Sequence, residues 1–264
     1  MRLGARVSFD RLDEMEERLS GVDFPIELAL PFRVVEFLPI AGRMAEVQEC
    51  VLRFGVKVLS IHATQGDLSR EDCREWARPA MRLADDLGAA SVTFHPSRGK
   101  NRINLQHSMI GSLKALQREF RAIAAVETFT DKQRLLLPEE IVALSLPMVL
   151  DTSYIHDDAR VFDLLERHHE KIIAVHLSSR GQGKQHQPID DFCLCVAKWL
   201  MAVNWSGFII LEYMPEYHDR LKPDLDRPTR WYSGRMRDRV AQHSGRTETT
   251  GDRQGNCKAN LFFP

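Results

Sequence analysis

A chain of 264 residues, 44% apolar and 28% charged, has the size and balance of an ordinary α/β globular protein and needs no disulfide or metal staple to hold a core. Its formal net charge of −1 supplies no global basic field and argues against nucleic acid as the partner, short of a local basic cleft. No run approaches the roughly 18 consecutive apolar residues of a membrane span, and MRLGARVSFDRLDEMEERL turns charged too early for a signal peptide, so a cytoplasmic location is expected.

Eight apolar runs read as strands: LGARVSF (3–9), PIELAL (25–30), VKVLSIHAT (56–64), ASVTFHP (90–96), AAVETF (124–129), PMVLDTSYI (147–155), KIIAVHLSS (171–179) and GFIILEYM (207–214). Their near-continuous apolar character suits parallel strands covered on both faces. LPFRVVEFLPIAG (30–42) reads as a long active-site loop. Helical patterns follow at 41–54, stopped by Gly55, and at 69–87, where Ser69 with acidic residues behind it reads as the start and Pro79 as a kink. Further helices are expected near 104–122, 137–145, 158–170 and 190–203, the last capped by Asp190 or Asp191. Trp76, Trp199 and Trp205 fall in or beside helices and read as packing residues. Cys50, Cys73, Cys193, Cys195 and Cys257 are odd in number and form no CxxC pair, so reduced structural thiols are expected rather than a disulfide framework or a thiolate zinc site.

Eight strands alternating with helices predict an α/β chain folded as a single (β/α)₈ TIM barrel. An open doubly wound sheet alternates in the same way, but no GxGxxG loop follows the first strand. The barrel is assigned to 1–217, a terminal helix or cap to 218–240, and a disordered tail, polar and rich in Arg, Asp and Gly, to 241–264.

In such a barrel the C-terminal strand ends form the mouth where chemistry is built. Six consecutive strands each deliver a metal-competent side chain there: His62, His95, Glu127, Asp151, His176 and Glu212. A lone strand-end histidine is more often a hydrogen-bonded structural residue, and a lone acid more often a helix cap. Their conjunction is different, because converging carboxylates repel unless a cation neutralises them. Three carboxylates and one imidazole without thiolates suit Mn²⁺, Zn²⁺, Co²⁺ or Mg²⁺ rather than a closed structural zinc site.

The runs SVTFHP, AVETF, VLDTSYIH, AVHLSS and FIILEY together resemble the xylose isomerase-like TIM-barrel superfamily over about residues 3–215. That group includes sugar and sugar-phosphate isomerases and epimerases and also endonuclease IV, a zinc nuclease of abasic sites. The resemblance implies a metal held by Glu127, Asp151, His176 and Glu212. For the epimerase branch it implies that Glu127 and Glu212 also move the proton, through an enediolate, on a sugar or sugar-derived substrate. His62 and His95 then bind substrate hydroxyls, or with Glu127 hold a second metal as in the nuclease branch. The nuclease's third metal needs a histidine where Tyr154 stands and an Asp-x-His where Lys184 and His186 stand, so two of its three ligands are missing. Tyr154 itself reads as a substrate contact, and His156, two residues later, either as a substitute for the missing histidine or as a helix cap. Arg180, Lys184 and His186, in the polar loop after the seventh strand, read as a grip on a substrate phosphate or carboxylate, or as solvated loop residues. Glu27 reads as a substrate contact or, slightly favoured, a structural hydrogen-bonding residue. A barrel that binds sugar without catalysis is the third reading, and a homo-oligomer is left open.

Overall fold

The computed structural model describes residues 1–99, 102–181 and 184–226, and the residues assigned above to a tail lie outside them. Eight parallel strands close on themselves: β1 (Arg2–Ser8), β2 (Ile26–Ala29), β3 (Val58–His62), β4 (Ser91–Phe94), β5 (Ile123–Glu127), β6 (Met148–Asp151), β7 (Ile172–Leu177) and β10 (Phe208–Leu211). The order around the ring is β1-β10-β7-β6-β5-β4-β3-β2, so the first and last barrel strands are neighbours. This is the predicted TIM barrel, with α1 (Leu12–Leu19), α2 (Val34–Ala41), α3 (Met44–Phe54), α4 (Arg74–Leu87), α5 (Arg102–Glu119), α6 (Pro138–Ala143), α7 (Asp158–His168) and α8 (Asp191–Ala202) in its connections. After β10 come a 3₁₀ turn (Pro215–Arg220) and helical residues 221–226.

Three readings are corrected. The segment 30–42 holds α2 rather than a loop: Phe37 and Ile40 are buried one turn apart, while Val35 and Leu38 are exposed on the other side. With apolar residues all round, the sequence shows no helical period there. The Glu36 carboxylate accepts the Arg33 backbone N–H and starts that helix. Ser69 does not start α4. Its N–H is taken by Asp67, and a 3₁₀ turn (Glu71–Cys73) precedes the helix, which carries Pro79 inside it. The polar loop after β7 contains a two-stranded antiparallel ribbon, β8 (Ser179–Gly181) with β9 (Lys184–Gln187). Helix α1, left unassigned by the sequence, buries Met15 and Leu19.

Other signals are borne out. Gly55 ends α3 in the left-handed region at φ +63°, and Asp190 caps α8 by accepting the Cys193 N–H. Trp76 and Trp205 pack in the core, and Cys50, Cys73 and Cys193 are buried free thiols. Among the described residues no helix is long and apolar enough to cross a membrane.

The barrel interior sorts by the two-residue period of its strands. Ala125, Val149, Ala174 and Ile210, with Leu59 and Phe208, pack as a small apolar cluster inside the ring. Two residues further along the same strands stand Glu127, Asp151, His176 and Glu212. Gly4 faces this floor: a Cβ there would lie 2.5 Å from the Pro25 carbonyl oxygen and 3.1 Å from Leu59. Gly4→Ala is therefore expected to destabilise the fold by about 2 kcal/mol through overpacking, read as a lower urea midpoint with an unchanged slope. An unchanged midpoint would mean that the floor has slack.

Candidate functional site

Each ionisable side chain at the mouth owes its place to the strand that ends there. His62, Glu127 and Asp151 are the last residues of β3, β5 and β6; His176 is next to last in β7; His95 and Glu212 directly follow β4 and β10. From the first two strands come Arg6 of β1 and Glu27 of β2, paired in register. Glu27, Glu127, Asp151 and His176 are 0–1% exposed, and Glu212 is 6% exposed.

Glu127, Asp151, His176 and Glu212 converge, with one ligand-capable atom from each lying within 4.8 Å of the others. His176 Nδ1 sits 2.6 Å from Glu127 Oε1 and 2.9 Å from Glu212 Oε2, and its Nε2 sits 3.2 Å from the Glu27 carboxylate. Asp151 accepts the Ser153 backbone N–H through Oδ1 at 2.6 Å. Asp151 Oδ2 is buried and lacks a hydrogen bond, while Glu127 Oε2 and Glu212 Oε2 are buried facing only imidazole nitrogens, His95 Nε2 at 2.7 Å and His176 Nδ1 at 2.9 Å. Orphaned carboxylate oxygens in a dry site are costly unless a cation or donor completes them. The donor set, three carboxylates and an imidazole, therefore fits a hard or borderline divalent cation. A second group, His62, His95 and Glu127, satisfies the same 4.8 Å criterion, with His95 Nε2 2.7 Å and His62 Nε2 3.8 Å from Glu127 Oε2.

The charges are strongly interdependent. Burial raises the Glu127 carboxyl, but the charge of His95 and hydrogen bonds from the surrounding histidines outweigh it and hold it well below the usual carboxylate range. Glu212 is held low in the same way, with Arg6, His186 and His176 overcoming its burial. Asp151 goes the other way: burial, reinforced by the negative charges of Glu127 and Glu212, pushes it up to about 7. His176 is raised well above an ordinary histidine, because Glu27, Glu212 and Glu127 overcome the burial that would deprotonate it. Such opposed shifts within one cluster are a feature of functional sites, though ion-pair networks show them too.

Of the residues expected to hold substrate, the structure brings His62, His95, Tyr154 and His186 to the cluster. The Tyr154 hydroxyl lies 3.2 Å from His186 Nε2, which is itself 3.7 Å from Glu212 Oε1. The Tyr154 ring stacks on Phe129 at 4.1 Å, and burial pushes its phenol upward, so it stays a neutral hydroxyl. His186 adopts φ +53°, a strained backbone for a non-glycine residue, and its Nδ1 lies 3.3 Å from both Ser153 Oγ and Ser178 Oγ. Lys184 is exposed on the ribbon, and Arg180 is engaged by Asp158 and the Thr152 carbonyl. His156 is exposed, and Asp157 caps α7 in its stead.

Sequence reasoning missed Arg6, which pairs with Glu212, and understated Glu27. The signal for Arg6 was present: a single charge inside the apolar run LGARVSF, two residues after Gly4 on the inward face. It also missed Phe129 and Arg134, whose guanidinium lies 4.1 Å over the Phe129 ring.

No protein-family model matches the chain, and no curated protein matches it. Solved structures do. L-ribulose 3-epimerase superposes with a TM-score of 0.61 at 17% identity, over 94% of this chain and 99% of that one. Endonuclease IV from Thermus thermophilus gives 0.59 at 16% identity, over 89% and 100%. The 3-keto-D-glucoside 4-epimerase from E. coli gives 0.61 at 12% identity, over 88% and 98%. The chain has the barrel fold that the xylose isomerase-like proteins and endonuclease IV share.

Proposed function

We propose that this chain is a metal-dependent isomerase or epimerase of a sugar or sugar-derived substrate, such as a sugar phosphate or polyol acid. The observation that carries this reading is the convergence of Glu127, Asp151, His176 and Glu212, three buried carboxylates around one imidazole, with Asp151 Oδ2 left without a hydrogen bond. These four would hold one divalent cation, Mn²⁺, Zn²⁺, Co²⁺ or Mg²⁺, which when bound polarises a substrate carbonyl and offsets the charge developing on its oxygen. The proton transfers fall to the protein. Glu127 ends β5 and Glu212 directly follows β10, with β6 and β7 between them in the ring, so the two would approach a bound substrate carbon from different sides. One removes the proton α to the carbonyl, and the other delivers a proton to the opposite face or to the neighbouring carbon. Both carboxyls are held low, and the Arg6 guanidinium helps to keep Glu212 so, which suits whichever acts as the base. The one that delivers must first take up a proton from water, and the base returns the proton it removed to water after product leaves. His95, His186 and the neutral Tyr154 hydroxyl present hydrogen-bonding atoms to substrate hydroxyls.

A second reading, hydrolysis of abasic DNA in the manner of endonuclease IV, is favoured by the His62–His95–Glu127 group, which offers a second cation position. Against it, Tyr154 stands where a further ligand would be required, and Lys184 is exposed at the ribbon.

Elemental analysis of protein purified without added metal separates these readings. About one Mn, Zn or Co per chain, lost in Asp151→Ala and Glu127→Ala, is the expected result and directs a screen of ketoses, aldoses and their phosphates. Two or more zinc ions per chain would move the assignment to the nuclease. No uptake, even with Mn²⁺ or Mg²⁺ added back, would overturn both and leave a binding barrel without metal chemistry.

A further inference from the structure

We propose that Glu27 is a positioning residue: it fixes the tautomer and direction of His176 so that Nδ1 is the atom this imidazole presents to a cation. The proposal rests on the metal-dependent reading above and adds to it a residue outside the four converging ligands.

Glu27 is fully buried on β2, and a carboxylate taken out of water there is tolerated only if it is hydrogen-bonded. Three donors from three other strands meet its Oε2, while Oε1 has no hydrogen bond and only His176 Nε2 near it, at 3.2 Å. Ser60 Oγ on β3 donates at 2.7 Å, Thr93 Oγ1 on β4 at 3.3 Å, and His176 Nε2 on β7 lies at 3.2 Å. An ionised carboxylate only accepts, so the imidazole nitrogen facing it carries a proton. Without a cation Nδ1 faces Glu127 Oε1 and Glu212 Oε2 and carries a proton by the same argument. A cation held by those carboxylates would take that proton's place on Nδ1, while the proton on Nε2 stays with Glu27. A carboxylate behind a ligating histidine is a recurrent way to fix ring orientation and raise ligand basicity, and its loss typically weakens metal binding about 10- to 100-fold. Ser60 and Thr93 in turn hold the Glu27 carboxylate. Strands β2, β3 and β4 thus act on a ligand carried by β7, across the barrel.

The test uses the full chain, stripped with chelator and titrated with Co²⁺ by visible absorbance and with Zn²⁺ against a competing chelator. Wild type is expected to bind. Glu27→Leu should weaken both metals about 10- to 100-fold with an unchanged circular dichroism spectrum. Glu27→Gln should lose less, because its amide oxygen can still accept the Nε2 proton. A ¹⁵N–¹H two-bond correlation spectrum of Zn²⁺-loaded wild type should show His176 protonated at Nε2, assigned by the peak lost in His176→Gln. Wild-type affinity in Glu27→Leu, or a His176 protonated at Nδ1, overturns the role of Glu27 and leaves the metal reading standing. A wild type that binds neither metal overturns the metal reading and this proposal with it. Should Glu27→Leu fail to fold, the wild-type tautomer alone decides.

Discussion

Glu127→Gln is expected to lower turnover of the sugar identified by the screen about 10³-fold at saturating metal, with the fold intact. Glutamine keeps the shape and volume of the side chain but can neither take nor return a proton. The partner variant, Glu212→Gln, gives the experiment its resolving power. In D₂O the variant that keeps the proton-removing base should still wash deuterium into the substrate at the α-carbon without forming product, because the delivering acid is gone. The other variant should neither exchange nor turn over. This asymmetry follows from two carboxylates on separate strands acting on one carbon, and a purely electrostatic role for either would not produce it. Full turnover in both variants would remove the two-carboxylate mechanism.

The second large effect concerns stability. The Asp151 carboxyl is pushed up to about 7, against about 3.9 in an unfolded chain. A raised acid binds its proton more tightly in the folded protein, so between these two values the native state holds more protons than the unfolded one. Stability then falls as pH rises from about 4 to about 7 and levels off above. The raised His176 acts in the same direction, its contribution being present below about 6.5 and lost as pH climbs through its higher folded value. In chelator-treated protein, Asp151→Asn removes the first of these slopes. It should melt about 10 °C above wild type at pH 8 and match it near pH 4. With Mn²⁺ or Zn²⁺ at about 100 times its dissociation constant, wild type should gain about 2.7 kcal/mol and close most of that gap. A chelated variant less stable than wild type at pH 8 would show that Asp151 is satisfied by the protein alone.

How much of this was legible depends on range. The barrel was readable because each strand announces itself locally, by an apolar run with a polar residue at its end. The inward period of two then carries Glu127, Asp151, His176 and Glu212 to one level. Helix α2 was not readable, since exposed Val35 and Leu38 erase the period that buried Phe37 and Ile40 would show. Glu27 was underestimated for a different reason. Its partner His176 lies 149 residues away, and a buried acid looks the same in sequence whether it ends in a hydroxyl pair or behind a ligand. Arg180 illustrates the converse: a basic residue in a loop beside the mouth reads as an anion grip, but Asp158 at the start of α7 holds it.

The pairing of β1 with β10 makes the site a late product of synthesis. Arg2 through Ala5 align with Phe208 through Leu211, and at the mouth end of that seam Arg6 meets Glu212. Closing it joins segments about 200 residues apart, among the longest loops this chain can form. A nascent chain still lacking residues 208–212 has seven strands with an open edge and only three of the four converging groups. An open edge of this kind invites pairing with other chains, so the interval before β10 emerges is when the protein is most exposed to aggregation. Ring closure and completion of the four-residue cluster are then one event, and if the cluster holds a cation as proposed, metal uptake during synthesis would report the moment at which the barrel shuts.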